Sequence, residues 1–513
     1  MAIVRSMSAP DDEAAEVPEP RGSAGAQLIA WAVGGAATVA GVALVTGEAA
    51  PAVVVAVLVA ITCRLAWTTP RSAPRAHGLP GYGGPRHDLL RLRRIGRLTT
   101  GIGWIAAVGL AFVAPLCSVL GALLALAGMA LEPLGWLDDG RRLRRALERH
   151  APTIALAYAG TTGGPWQIAM WEPYLLASQE PCIIINRHEF VSEMIRRGAA
   201  PRSPFVDLGG LGFANLRFVA VESIRAMFYV QNAESNAHFL ALPGRTHVWI
   251  GHGESDKPAS FNERHARYDL LALAGPAAVE RYAANGIDVP AEKFVLIGRP
   301  QVAGIEGPRP RPWADPRVLY APTWAGIDPS VNFSSLRIGP QIVRAMLDRG
   351  LTVVFRPHPL SERGVRHGEL IAQIHALLER DRRATGRQHV WGEQATRRWS
   401  IVDCANHVDM LVSDVSSVVG DFLPSGKPYA MTMMRHDDPE RFRAENSLAR
   451  GGYLIGADLA TLPEVLDAML GDDPLAGLRE EVRRHVLTDR SGEESAACFA
   501  ELVRGLARGQ VPS

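Results

Sequence analysis

The chain has 513 residues, enough for roughly two to four structural units rather than one core. Its 54 Lys and Arg stand against 53 Asp and Glu, a net charge of +1, which excludes the basic signature of a nucleic-acid binder. Five cysteines (Cys63, Cys117, Cys182, Cys404 and Cys498) include no C-x-x-C pair. Neither a zinc site nor a disulfide framework is expected, and the thiols read as reduced and mostly buried, in a protein whose soluble part faces the cytoplasm.

Residues 1–25 are acidic and rich in Pro and Ala without periodicity, the composition of a disordered tail. Residues 26–150 read as a membrane anchor. Ala26–Thr46 is an uncharged apolar run of spanning length, and after Gly47 and Glu48 the run resumes over Ala49–Cys63, which predicts a helical hairpin. A second span following at once argues against a secretory signal peptide. Arg64, Arg71, Arg75, Arg86, Arg91, Arg93, Arg94 and Arg97 then crowd a loop that the positive-inside rule makes cytoplasmic. The apolar block Leu98–Leu131, broken near Pro115, ends at Arg141, Arg142, Arg144, Arg145 and Arg149. Arginine at both ends implies an even number of crossings. The block is short for two full spans, so a tight or re-entrant hairpin is expected. Four passes are favoured over three, and the rest of the chain is placed in the cytoplasm.

From Pro152 the pattern becomes short β-branched runs between amphipathic stretches, the signature of βαβ units. Strands are predicted over Ile154–Ala159, Cys182–Ile185, Phe218–Val221, Met227–Val230, His247–Ile250, Leu270–Leu273 and Phe294–Ile297, with helices such as Glu189–Arg197 and Pro276–Asn285. Arg299–Pro316, dense in Pro, Gly and Arg, reads as a linker. A second half follows with strands Val318–Tyr320, Thr352–Phe355, Val408–Val412 and Pro428–Met431 and helices Gln341–Arg349, Glu369–Arg382 and Leu462–Leu470. The expected organisation is an α/β fold of two domains, 151–310 and 311–513, behind the anchor. Ligands in such sheets bind beyond the carboxyl ends of the strands.

Residues with useful chemistry stand at those ends. His252 follows the strand His247–Ile250 between Gly251 and Gly253; it suits a general base, or it is a solvated histidine in a glycine-rich loop. Lys257, in the same loop, offers positive charge to an acceptor or phosphate. Thr352–Phe355 runs into Arg356-Pro357-His358-Pro359, where two prolines stiffen the backbone around an arginine fit for a phosphate and a histidine fit to donate to one. Ala321-Pro322-Thr323-Trp324 ends another strand, with Trp324 lining a pocket or packing in the core. Ser413-Asp414-Val415-Ser416-Ser417 sits where a strand turns into a helix. It reads as a capped αβ turn, or as a phosphate site made from cap hydroxyls and helix N–H groups. Asp421 either orients a sugar or polyol hydroxyl or bonds backbone amides, and Lys427 reads as surface charge.

With these motifs in hand, most of Pro152–Leu506 resembles the CDP-glycerol glycerophosphotransferase family that polymerises teichoic acids. The likeness is strongest over His247–Lys257, Gly298–Gln301, Leu319–Trp324, Arg356–Pro359 and Val412–Phe422. It implies two Rossmann-like domains of the glycosyltransferase-B type, acceptor side first and CDP-donor side second. The implied reaction moves a polyol phosphate from CDP-glycerol or a related CDP-polyol to a hydroxyl of a lipid-linked cell-wall polymer or precursor, releasing CMP. It implies His252 as base, His358 and Arg356 as donor-phosphate contacts, Ser416 and Ser417 on the donor pyrophosphate, and Asp421 in the donor pocket. Nothing in the motifs asks for a metal or cofactor. Two departures bear on acceptor and polyol: Glu254-Ser255-Asp256 stands where the family commonly has Thr-Pro-Leu, and Val415 where it often has Tyr. A sugar-nucleotide-dependent glycosyltransferase of the same fold and a non-catalytic membrane scaffold that binds the polymer are the competing readings.

Overall fold

Runs of β-branched residues form the strands and the amphipathic stretches between them form helices, in two units, Met1–Arg245 and Thr246–Ser513. The computed structural model describes residues 73–511 apart from 111–114, 162, 210–212, 254–259, 326–331, 364 and 436. The expected tail, the runs Ala26–Thr46 and Ala49–Cys63, and Lys257 lie outside the described residues.

The first unit comprises β1 (Arg75–His77), α1 (Leu89–Leu110), α2 (Pro115–His150), β2 (Ile154–Tyr158), α3 (Gly164–Ala177), β3 (Cys182–Asn186), α4 (Glu189–Ala199), β4 (Phe205–Asp207), α5 (Phe213–Val219) and β5 (Ala226–Tyr229). Its strands lie in the order β1-β4-β3-β2-β5, parallel except for β1 against β4. Every residue of β2, β3 and β5 is buried, as their unbroken apolar runs require of a sheet covered on both faces.

Two expectations need correction in this unit. Phe218–Val221 is not a strand; Phe218 and Val219 close α5. A short apolar run does not declare its period. Here Phe218 meets Trp136 of α2 edge-on, with ring centroids 5.3 Å apart, and Asn215 Oδ1 accepts from Trp136 Nε1 at 2.6 Å. The arginine segment is also not a loop throughout, because α1 starts at Leu89 and carries Arg91, Arg93, Arg94 and Arg97. The block Leu98–Leu131 is shared between α1 and α2, whose other ends run into charged sequence. Among the described residues no helix is long and apolar enough to cross a membrane.

The second unit opens with β6 (Thr246–Trp249), β7 (Leu270–Leu273), α6 (Pro276–Ala284) and β8 (Phe294–Leu296), β6 pairing with β7 and β7 with β8 in parallel. A separate sheet follows, built from β9 (Arg317–Ala321), β10 (Thr352–Phe355), β11 (Met410–Ser413), β12 (Tyr429–Met433) and β13 (Tyr453–Gly456) in the parallel order β10-β9-β11-β12-β13. Alternation along β9 sends Leu319 to one hydrophobic layer and Val318 and Tyr320 to the other, so helices, among them α7 (Gly339–Asp348), α8 (Val365–Thr385) and α9 (Ile401–His407), cover both faces. The chain leaves β9 toward β10 on one side and returns to β11 on the other. The crevice of this sheet therefore opens beyond Ala321 and Ser413, which are register partners.

The stretch expected as a linker is fastened by its arginines. Arg309 donates to Asp409 at 2.7 Å and 2.6 Å, and Arg311 lies over the Trp313 ring. Lys427 is not a surface charge: it is 1 % exposed and its Nζ donates to Ala405 O at 2.8 Å. Burial lowers its pKa. Cys182 and Cys404 are buried free thiols, and Cys498 is half-buried and free.

Candidate functional site

The crevice at the ends of β9 and β11 is organised by Asp414. Its carboxylate, fully buried, accepts from Thr323 N at 2.7 Å, Ser335 N at 3.2 Å and Thr432 Oγ1 at 2.6 Å. One side chain thus ties the loop after β9, the turn at Ser335 and strand β12 to the end of β11. Ser413 adds a hydrogen bond to Ala321 O at 2.7 Å. Sequence reading placed Asp414 among the helix-capping groups. Its three donors make it the fastener of the crest.

Beyond it lies α10 (Ser417–Phe422). Ser416, extended at φ −154°, is the N-cap and accepts from Val418 N at 3.4 Å. Six residues make a short helix, so the positive end offered here is mainly its free N–H groups rather than a long dipole. Asp421 faces inward. Its Oδ1 accepts from Arg299 Nε at 2.7 Å, in an ion pair whose side chains are only 10 % and 5 % exposed. In the sequence Arg299 is the first residue of the linker and part of Gly298–Gln301, one of the stretches that carry the family resemblance. A hydrophilic residue before Pro300 carries no sequence sign that it reaches 122 positions along the chain.

β10 presents Arg356 and His358 as its rigid Arg-Pro-His-Pro exit predicts. The backbone is pinned to the neighbouring loop by His358 N donating to Pro322 O at 3.1 Å. His358 Nδ1 accepts from Leu360 N at 3.2 Å, which leaves the proton of the neutral ring on Nε2. Trp324 is half-buried, its ring 6.3 Å from that of His358 at 27°. Arg356 Nη1 points to Ala395 O, to Trp399 O at 2.8 Å and to Cys404 Sγ at 3.8 Å. That edge of the guanidinium holds the segment after β10 in place.

His252 reaches this crest from β6. Gly251 has φ +61°, a left-handed turn that favours glycine, and half-buried His252 follows. A methyl group on Gly253 would stand 3.0 Å from Ser417 Cβ and 3.2 Å from its Oγ. The His-Gly loop and the start of α10 are therefore in contact. Below the loop, Trp249 stacks on His265 with centroids 4.1 Å apart, and His265 Nδ1 lies 2.6 Å from Tyr282 Oη. Burial pushes the His265 pKa down to about 3, so that ring is a neutral part of the floor.

Polar side chains gathered past the carboxyl ends of a parallel sheet are the arrangement of a ligand-binding α/β enzyme domain. Residues 300–445, which contain β9 to β12 and most of this crest, match the family of CDP-glycerol:poly(glycerophosphate) glycerophosphotransferases. Over that segment the chain is similar to this transferase family, and the likeness is to a glycerophosphotransferase enzyme. His252, Gly253 and Arg299 lie outside the matched residues. No curated protein matches the chain.

Among solved structures, the wall teichoic acid polymerase TagF shares 12 % identity at a TM-score of 0.46, over 73 % of this chain and 94 % of that one. The S. aureus MnaA–UDP complex has 12 % identity and a TM-score of 0.46, over 71 % and 99 %. A glycosyltransferase from Rickettsia africae has 13 % and 0.43, over 69 % and 98 %. Likeness at this level says nothing further about activity.

Proposed function

We propose that the chain is a glycosyltransferase-B-type transferase that moves a polyol phosphate, glycerol phosphate first among them, from a CDP-activated donor to a hydroxyl of a lipid-linked cell-wall polymer or precursor. The observation that carries this reading is the approach of Gly253 to Ser417, which brings the His252 loop and the cap hydroxyls of α10 to one place. Ser416, Ser417 and the N–H groups of α10 receive the donor pyrophosphate. His252 takes the proton of the acceptor hydroxyl as its oxygen attacks the phosphorus bearing the polyol. The new O–P bond forms while the bridging P–O bond to CMP breaks. Charge growing on the CMP phosphate is met by the Nε2–H of His358 and by the α10 amides. Such preorganised donors act where charge develops in the transition state. Arg356 supports that contact, Asp421 holds α10 through Arg299, and Lys257 contributes charge to acceptor or phosphate.

The acceptor is held at the membrane, with the apolar runs 26–63 anchoring the chain and both units on the cytoplasmic side. Release of CMP from CDP-glycerol and CDP-ribitol, measured beside UDP- and GDP-sugars, tests the donor. CMP formed only from the CDP-polyols supports the proposal. Saturation by a sugar nucleotide with no response to CDP-polyols refutes it in favour of a glycosyltransferase.

A further inference from the structure

The least satisfied surface of the first unit is the α1–α2 hairpin. Leu98–Leu131 contains no charged side chain, with Arg97 before it and Glu132 after it. Its two faces differ. On the inner face the backbones touch: a methyl on Gly96 would stand 2.5 Å from Gly128 O, and one on Gly103 would stand 2.5 Å from Ala125 N. Thr100, 1 % exposed, donates to Ala125 O at 3.2 Å, and Arg93 Nε reaches Glu132 Oε1 at 2.8 Å across the charged end. Small residues that admit close backbones, with polar groups paired between helices, are how helices associate in lipid. On the outer face Leu98, Ile102 and Ile105 of α1 are 66 %, 51 % and 76 % exposed, and Leu120 and Leu123 of α2 are 61 % and 54 % exposed. The α1 set recurs at helical spacing and forms one stripe.

We infer that this hairpin is inserted from one side into an anionic bilayer without crossing it and serves as a rigid stand for the first unit. The inference rests on the membrane placement proposed above. Three observations select lipid as the occupant. The uncharged run ends abruptly at both helices, as a hydrocarbon boundary demands. Arg91, Arg94 and Arg97 are exposed just past that boundary, where anionic headgroups would meet them. The apolar parts of α1 and α2 extend roughly 20–25 Å at 1.5 Å per residue, short of the ~30 Å hydrocarbon core, so the hairpin enters without crossing.

Past Glu132, α2 continues to His150, roughly 28 Å more of helix. There Leu143 and Leu147 are fully buried, Trp136 is fixed to Asn215 and Phe218 of α5, and the chain passes directly into β2. A bilayer-held hairpin continuous with that helix limits how far the β2 sheet stands from the headgroups.

The test is nitroxide labelling of the full chain at Ile102→Cys, Ile105→Cys, Leu120→Cys and Leu123→Cys, one site at a time with the native cysteines replaced, and Leu478→Cys as the exposed reference. In vesicles of mixed phosphatidylglycerol and phosphatidylcholine, collision with oxygen should exceed collision with a water-soluble nickel chelate severalfold at all four hairpin sites. The implied depth should increase from Ile102 to Ile105 and from Leu123 to Leu120. Nickel access matching Leu478→Cys would overturn insertion. Protection from both reagents would also overturn it, since protein, either residues 26–63 or a second copy, would then cover the face. CMP release from CDP-glycerol is read in the same samples, so a water-exposed hairpin on a chain that turns over ends this inference and leaves the transferase reading intact.

Discussion

Arg299 Nε donates to Asp421 Oδ1 at 2.7 Å, and this buried pair joins the stretch after β8 to the helix that starts at Ser417. The acid expected in a donor pocket is thus occupied by an arginine and positions α10 from below. Removing one partner strands the other charge. Arg299→Met or Asp421→Leu alone should cost about 3–5 kcal/mol, while the double substitution should recover most of it. Urea denaturation of the three variants checks this.

Asp414 makes a similar demand without a cation. Asp414→Ala removes the shared acceptor of Thr323 N, Ser335 N and Thr432 Oγ1. Each orphaned donor costs about 1–3 kcal/mol. The expected outcome is a chain that unfolds at markedly lower denaturant. Asp414→Asn, which keeps one acceptor oxygen, should fall between it and the parent in the same titration.

The two glycines beside His252 should fail differently. Gly251→Ala forces a side chain into the left-handed region at φ +61° and should lower stability by about 1–2 kcal/mol. Gly253→Ala meets Ser417 Cβ at 3.0 Å, an atom fixed to the backbone that cannot rotate away. It should raise the KM for CDP-glycerol by about tenfold, the equivalent of ~1.4 kcal/mol, with little loss of stability. Steady-state CMP release alongside thermal unfolding separates the two effects.

His265 gives the second unit an acid-sensitive floor. Burial holds its pKa at about 3 against an ordinary 6.5, so between these values the unfolded chain binds a proton that the folded chain refuses. This contribution is fully present above pH 6.5 and is lost as pH falls toward 3, with a slope of up to about 1.4 kcal/mol per pH unit. Denaturation at pH 7, 5.5 and 4.5 should show the decline, and His265→Phe should flatten it.

The strand ends were legible because their apolar runs are short, bounded and rich in β-branched residues. Leu270–Leu273 and Thr352–Phe355 form as expected, and β6, β9 and β11 agree within two residues at either end. The side-chain chemistry past those ends was less legible. Lys427 looked solvated because a lysine after glycine usually is, and only the fold shows Ala405 O waiting for it. Neither reading of Asp421, a ligand hydroxyl or backbone amides, includes Arg299, because nothing near it in sequence announces that partner. Phe218–Val221 misled because four apolar residues fit either period, and the packing of Trp136 decided for helix. Strand β4, three residues between Pro204 and Leu208, was too short to register at all.

The account depends most on His252 acting as the base beside Ser416 and Ser417. CMP release from CDP-glycerol by His252→Ala, with donor binding followed by calorimetry in the same preparation, tests this directly. Release should fall by about 10²- to 10⁴-fold, the usual contribution of a positioned base, while CDP-glycerol still binds. Undiminished release would contradict it.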